Sequence, residues 1–370
     1  MRMKLLIATL LLLPLLWLPA LVGAADYKTK NLVLVTADGL RWQEVFRGID
    51  PALMGLEEAG MKGAEELRAS LWADTPEQRR RLLMPFLWSD LVSRGVILGN
   101  GDRGAAVTLR NRHRFSYPGY SEILTGRPQD DVIDSNALRP NPSPTILEIL
   151  RREWKLPRAQ VALFGSWNVF QGIGAQDSEA VFINAGYQRL DAGGVSERLG
   201  ELSRLQFEIL TPWRTVRHDY VTFEMALEYL KTAKPRMLYV ALGETDDWAH
   251  DRRYDRTLET ARYFDDCLRR LWEALQSDSA YRDSTTLIAA TDHGRGSTPQ
   301  DWNSHGAKVD GAARVWIAAI DPDTPAGGEA RDTAGVTQSD IAPTMLDLAG
   351  IDYRKLAGVE GKPIDAIVGR

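Results

Sequence analysis

The chain of 370 residues has one cysteine, Cys267. That excludes an internal disulfide framework and any thiolate-based zinc cluster. It has five histidines, so a metal site of His, Asp, Glu and hydroxyl donors would use most of them. It also lacks a basic excess. With 45 Lys and Arg against 50 Asp and Glu, the formal net charge of −5 removes the positive field that coating a nucleic acid relies on. Internal repeats and low-complexity linkers are absent, and so is any apolar run of membrane length beyond the N-terminus. A content of 44% hydrophobic and 26% charged residues describes a globular protein and excludes disorder, collagen and coiled coil.

The N-terminus reads as an export signal over residues 1–25. Arg2 and Lys4 form a positive start, Leu5 to Leu21 is almost entirely apolar, and Val22-Gly-Ala-Ala25 supplies the small residues of a cleavage site. The competing reading is an uncleaved anchor, because this run sits at the lower edge of what spans a bilayer. No cysteine lies near the cut, which excludes lipid attachment there. Cleavage predicts a periplasmic or secreted protein with formal charge changed from −5 to −7 by loss of Arg2 and Lys4.

Over residues 26–370, short apolar runs alternate with helical patterns. The runs 31–37, 160–164, 236–242, 285–291 and 314–320 are continuous strands of the kind buried on both faces. Helices are expected over 144–154, 221–232 and 254–275, with Leu258, Ala261, Phe264, Leu268, Leu271 and Leu275 forming one stripe. Cys267 lies beside that stripe and reads as a small core residue. The pattern predicts a single α/β domain, a three-layer sandwich around a mostly parallel sheet, with cap insertions at about 47–86 and 172–219.

In open α/β sheets, ligands bind beyond the carboxyl ends of the strands. Three predicted strands lead there to acids: Asp38 in Thr36-Ala-Asp-Gly39, Asp246 in Gly243-Glu-Thr-Asp-Asp-Trp-Ala-His250, and Asp292 in Thr291-Asp-His-Gly294. One such aspartate is ordinary turn chemistry, but three together, two accompanied by histidine, point to metal. Asp246 and His250 share a face if the strand runs into a helical turn. Asp292 and His293 are adjacent, and His305 follows within a short loop. Taken singly, each histidine is better read as structural, and His113 and His218 stay on that side. Ser116 opens a helical pattern that ends at Gly126, where the free amides and dipole of a helix N-terminus favour an ionised hydroxyl and a neighbouring phosphate. Read alone, Ser116 is an N-cap.

Together these positions resemble the alkaline phosphatase superfamily, and most closely its nucleotide pyrophosphatase/phosphodiesterase branch. The similarity rests on Asp38, Ser116, Asp246 with His250, Asp292 with His293, and His305 in order, and on the segment Gln338-Ser-Asp-Ile-Ala-Pro-Thr-Met-Leu-Asp-Leu-Ala-Gly-Ile351. The resemblance implies an alkaline phosphatase-like fold and two divalent ions, Zn²⁺ with Mn²⁺ as the other candidate. One would be held by Asp38, Ser116, Asp292 and His293, the other by Asp246, His250 and His305. It implies phosphoric ester hydrolysis, of monoesters or diesters, through a covalent phosphoserine at Ser116, with Asn136 as a contact to a phosphoryl oxygen. The expected partner is a small phosphate ester.

Departures from the pattern keep other members of the superfamily open. Only a short gap separates His293 from His305, as in sugar-phosphate mutases, whose cytosolic substrates fit poorly with export. Leu124-Thr-Gly-Arg-Pro128 is shared with sulfatases, but Tyr120 stands where their formylglycine precursor is followed by Arg, and Asp38 is followed by Gly39 rather than by a second acid. The Lys/Arg clamp of one monoesterase group is absent from 165–170, which favours diesters. Arg41, Arg110, Arg112 and Arg114 are candidate substitutes for it. Outside catalysis, the alternative is a binding protein that keeps the fold without turnover.

Overall fold

The computed structural model describes residues 27–190, 196–320, 322–331 and 333–370. The expected export signal lies outside these residues. Among the described residues ten strands occur in chain order: β1 Asn31–Ala37, β2 Val96–Leu98, β3 Val107–Thr108, β4 Val161–Gly165, β5 Phe182–Ala185, β6 Met237–Leu242, β7 Thr285–Ala290, β8 Arg314–Val315, β9 Ile317–Ile320 and β10 Gly328–Glu329. Eight form one sheet in the order β10-β2-β9-β7-β1-β6-β4-β5, and β3 with β8 makes a second small ladder. In the large sheet, β9 runs antiparallel to both its neighbours and every other pairing is parallel.

Alternation along the central strands divides the core in two. Val33 and Val35 of β1, Leu238 and Val240 of β6, and Leu287 and Ala289 of β7 join one buried cluster. Leu32 and Leu34, Met237 and Tyr239, and Ile288 and Ala290 join the other. Because both faces of each strand are buried, the strands show no polar alternation in sequence. Helices Asp219–Ala233 and Tyr254–Ser277 cover the first face, and Ser116–Thr125, Ile146–Glu153 and Ile341–Leu348 the second. The result is a three-layer α/β sandwich with a mostly parallel central sheet.

The long helix Tyr254–Ser277 buries the stripe expected from its spacing, Cys267 included. The run 314–320 is not one strand. It breaks at Trp316, whose fully buried indole donates Nε1–H to the Leu40 carbonyl at 3.0 Å, so β8 and β9 enter different sheets. Within 47–86, the helices Ala64–Leu71 and Pro76–Leu83 send Leu71 and Leu83 into the first core, together with Leu53. Within 172–219, β5 pairs with β4 at the sheet edge, and the helix Glu197–Leu205 packs beside Asp219–Ala233. No helix among the described residues is long and apolar enough to cross a membrane.

Candidate active site

The neighbouring strands β7, β1 and β6 end side by side. They carry Asp292, Asp38 and, through the helix Glu244–His250, Asp246 to one edge of the sheet. Two groups of ligand-type side chains result. In the first, Asp38, Asp292 and His293 bring one donor atom each to within 4.8 Å of one another; in the second, Asp246, His250 and His305 do the same. The groups adjoin, since His293 Nε2 lies 3.3 Å from Asp38 Oδ1 and 3.6 Å from Asp246 Oδ1. The His293 and His305 rings stack at 4.1 Å.

Each carboxylate has a local anchor. Asp292 Oδ1 accepts the Gly39 amide at 3.0 Å, and its buried Oδ2 has no hydrogen-bond partner. An orphaned buried carboxylate oxygen is costly unless a cation completes it, so this donor set fits a metal ion. The Asp38 backbone is fixed by Thr245 Oγ1, which donates to its carbonyl at 2.5 Å. Asp246 and His250 share a helix face as their spacing predicts, with His250 Nε2 3.1 Å from Asp246 Oδ2. Asp219, buried at the start of its own helix, accepts the Gly243 and Glu244 amides at 2.8 and 3.0 Å and so holds the turn that delivers Asp246. Gly39 is required here. Its φ of +57° is left-handed, and a Cβ would lie 2.6 Å from Asp246 Oδ1.

The imidazoles are oriented by carbonyls, which only accept. His293 Nδ1 therefore donates to the Gly294 carbonyl at 2.9 Å and His305 Nδ1 to that of Arg114 at 3.3 Å, leaving each Nε2 to face the carboxylates. His250 and His305 approach Nε2 to Nε2 at 3.0 Å. Burial and the neighbouring His293 push both below the usual histidine range, keeping them neutral and able to ligate. For His293 burial opposes charge, but Asp292 and Asp38 outweigh it and hold the imidazole up to about 9. The Asp292 carboxyl is raised by burial and by repulsion from Asp38.

Ser116 is the first residue of the helix Ser116–Thr125, which ends at Gly126 in a left-handed cap. Its Oγ is 3.5 Å from Asp38 Oδ1 and 3.4 Å from His293 Nε2. Phe115 offers no side-chain cap. Instead Asn136, from a separate loop, accepts the Tyr117 amide on Oδ1 at 3.0 Å, so its amide NH₂ points away from the helix backbone beside Ser116. Gly119 lets this helix lie against β7's end, because a Cβ there would meet the Asp292 carbonyl at 2.3 Å.

All eight sequence-predicted site residues thus fall at one edge of the sheet. His113 and His218 stay outside the groups, bound to the Asp130 carbonyl and to Glu244. The arginines expected to stand in for a clamp are engaged elsewhere. Arg41 pairs with Glu44, Arg110 with Glu360, Arg112 with Asp131 and Arg114 with Asp310. Sequence reading missed the cation that is present, Arg295. It is fully buried, its Nη2 contacts Asp246 Oδ1, and burial lowers its pKa to about 9. Its position two residues after His293, in a loop already suspected of binding metal, was the available signal. Tyr120 was also unassigned. It packs its ring on Phe170 at 4.6 Å, and burial pushes its hydroxyl pKa well up.

A family model described as Sulfatase matches residues 30–351. Among curated proteins no sequence matches significantly. The chain is similar in structure to a protein of the alkaline phosphatase superfamily from Vibrio parahaemolyticus (TM-score 0.53, 14% identity, 92% of this chain and 70% of that one). It is also similar to the phosphonate monoester hydrolase of Agrobacterium radiobacter (0.54, 15%, 92% and 77%). A putative sulfatase from Bacteroides thetaiotaomicron gives 0.57 and 13%, with 92% and 75% coverage. These likenesses bear out the alkaline phosphatase-like fold.

Proposed function

Because the chain belongs to the Sulfatase family, we propose that it is an exported two-metal ester hydrolase that cleaves phosphate esters through a covalent phosphoserine at Ser116. The observation that carries this reading is a serine hydroxyl at a buried helix N-terminus, 3.5 Å from Asp38 and 3.4 Å from His293, next to two three-residue donor groups. Asp38, Ser116, Asp292 and His293 would hold one ion, and Asp246, His250 and His305 the other. Mixed imidazole and carboxylate donors suit Zn²⁺, with Mn²⁺ as the alternative occupant. When bound, the ions supply Lewis acidity and positive charge against the phosphoryl oxygens.

The protein's own groups do the rest. Ser116 gives up its hydroxyl proton as Oγ attacks phosphorus, forming the Ser–O–P bond while the P–O bond to the ester oxygen breaks and that oxygen leaves as the alcohol; water later breaks the Ser–O–P bond, releasing the phosphoryl group and returning the serine hydroxyl. The helix dipole favours negative charge on Oγ and on the phosphoryl group, while the Tyr117 amide is already taken by Asn136 and Pro118 has none. The Asn136 amide NH₂, oriented by the Tyr117 contact, donates to a phosphoryl oxygen. A phosphonate or phosphate monoanion suits a site whose surface arginines are already paired.

A second reading, sulfate ester hydrolysis, is favoured by the family match and by Leu124-Thr-Gly-Arg-Pro128. Against it, the buried Tyr120 fills the place where formylglycine formation calls for an arginine. The test is metal content per chain together with turnover of nitrophenyl phosphate, bis-nitrophenyl phosphate and nitrophenyl sulfate, in wild type and in Ser116→Ala. Phosphate ester turnover lost in Ser116→Ala is expected. Full activity in the variant overturns the covalent mechanism, and preferential sulfate turnover selects the second reading.

A further inference from the structure

Arg295 touches one of the two donor groups, at Asp246. Its guanidinium is fully buried, with Nη2 donating to both Asp246 Oδ1 and the Asp246 carbonyl, the latter at 3.1 Å, and Nη1 donating to the Asn303 carbonyl. Its Nε has no acceptor. Arg41, itself tied to Glu44, donates to the Gly296 carbonyl at 3.1 Å and pins the loop that carries Arg295. Gly39 leaves the space for the pair, since a Cβ there would lie 2.6 Å from Asp246 Oδ1 and 3.0 Å from Arg295 Nε.

The two oxygens of Asp246 consequently face different groups: Oδ1 meets the Arg295 guanidinium, and Oδ2 lies 3.1 Å from Nε2 of the neutral His250 imidazole in the second donor group. That group offers a dication one carboxylate, already half engaged, and two imidazoles. The first group offers two carboxylates beside the His293 imidazole, and Asp292 Oδ2 accepts no hydrogen bond, its near neighbour being His293 Nε2 at 3.6 Å. Coulomb attraction at such distances scales with the charge left uncompensated, so the groups cannot bind equally.

Resting on the two-metal reading above, we propose that Arg295 is a resident cation that competes for Asp246 and makes the two ion sites unequal. The Asp38/Asp292/His293 site fills first and tightly. The Asp246/His250/His305 site fills second and reversibly, so that the fraction of fully loaded protein follows the free concentration of the ion around it.

Titrating Zn²⁺ into metal-stripped, full-length mature protein by calorimetry tests this without any substrate. Wild type is expected to bind two ions in separate steps, with dissociation constants at least about 100-fold apart. Arg295→Met is expected to tighten only the weaker step by about 10–100-fold, the size typical of partners that act on a ligating side chain. Arg295→Lys keeps a positive charge and is expected to keep that step weak. Two equal steps in wild type overturn the proposal whatever the variants do. So does a weaker second step in Arg295→Met, which would make the arginine an ordinary orienting partner. Binding of no zinc at all would instead overturn the two-metal reading on which the proposal stands.

Discussion

At the scale of single residues, the site depends on positions that tolerate little change. Ser116→Ala removes the oxygen proposed to attack phosphorus but none of the six Asp and His side chains of the two groups. It is expected to cut kcat by about 10³-fold or more while elemental analysis finds at most a small change in bound metal. Gly39→Ala forces a side chain into a left-handed backbone at φ +57°, which alone costs about 1–2 kcal/mol. The new Cβ also pushes against Asp246 Oδ1. Both a lower Tm and weaker zinc binding in calorimetry are expected, and an unchanged zinc isotherm would show that the Asp246 carboxylate tolerates the shift. The donors themselves were legible in the sequence because strand ends in α/β sheets are predictable and aspartate and histidine are sparse there. Arg295, Thr245 and Asp219 were not legible. Their roles depend on hydrogen bonds to backbone groups far away in the chain, which neither periodicity nor motif spacing reveals.

At the scale of elements, helix Ser116–Thr125 is positioned by close approach rather than by propensity. Gly119→Ala would favour an isolated helix by about 1 kcal/mol, yet its Cβ meets the Asp292 carbonyl at 2.3 Å. Turnover of nitrophenyl phosphate is therefore expected to fall even where Tm is maintained; equal kcat would show that the helix has slack. The helix Tyr254–Ser277 supplies a prediction about pH. Its Asp265 accepts the Phe86 and Leu87 amides, and burial raises its pKa from 3.8 to about 6. Between these values the unfolded chain has released the proton and the folded chain has kept it. This group's contribution to stability is thus full below about pH 4 and falls as pH rises to about 6, by on the order of 2–3 kcal/mol. Asp265→Asn is expected to flatten that part of a urea-denaturation pH profile; an identical slope in the variant would assign it elsewhere. Long helices and central strands were readable within a residue or two, because burial imposes a regular pattern over several turns. The strands β2, β5 and β10, of three, four and two residues, are too short to carry a pattern. The break at Trp316, where the buried indole bonds the Leu40 carbonyl, interrupts an apolar run that shows no gap in sequence.

At the scale of the whole molecule, three carboxylates and three imidazoles converge at one edge of the sheet, where Asp292 is raised by burial and by Asp38 and its Oδ2 accepts no hydrogen bond, so a bound cation adds stability. Stripping metal is expected to lower Tm. Above the dissociation constant, each tenfold increase in free Zn²⁺ adds about 1.4 kcal/mol per linked site, and thermal melts across zinc concentrations that stay superimposed would contradict any link between ion binding and folding. The sandwich was legible as a whole because alternating strand and helix patterns admit few arrangements. The distribution of 47–86 and 172–219 among helical layers and a sheet edge was not, since their apolar residues follow no single period. One further consequence follows from β7, β1 and β6 being adjacent. Neighbouring strands repeat at about 4.8 Å, a spacing set by peptide hydrogen bonds. The separation of the two donor groups is therefore gauged by backbone geometry, which side-chain replacement elsewhere leaves untouched. A chain with 13–15% identity to three structures that share its fold can thus hold this spacing through the sheet alone.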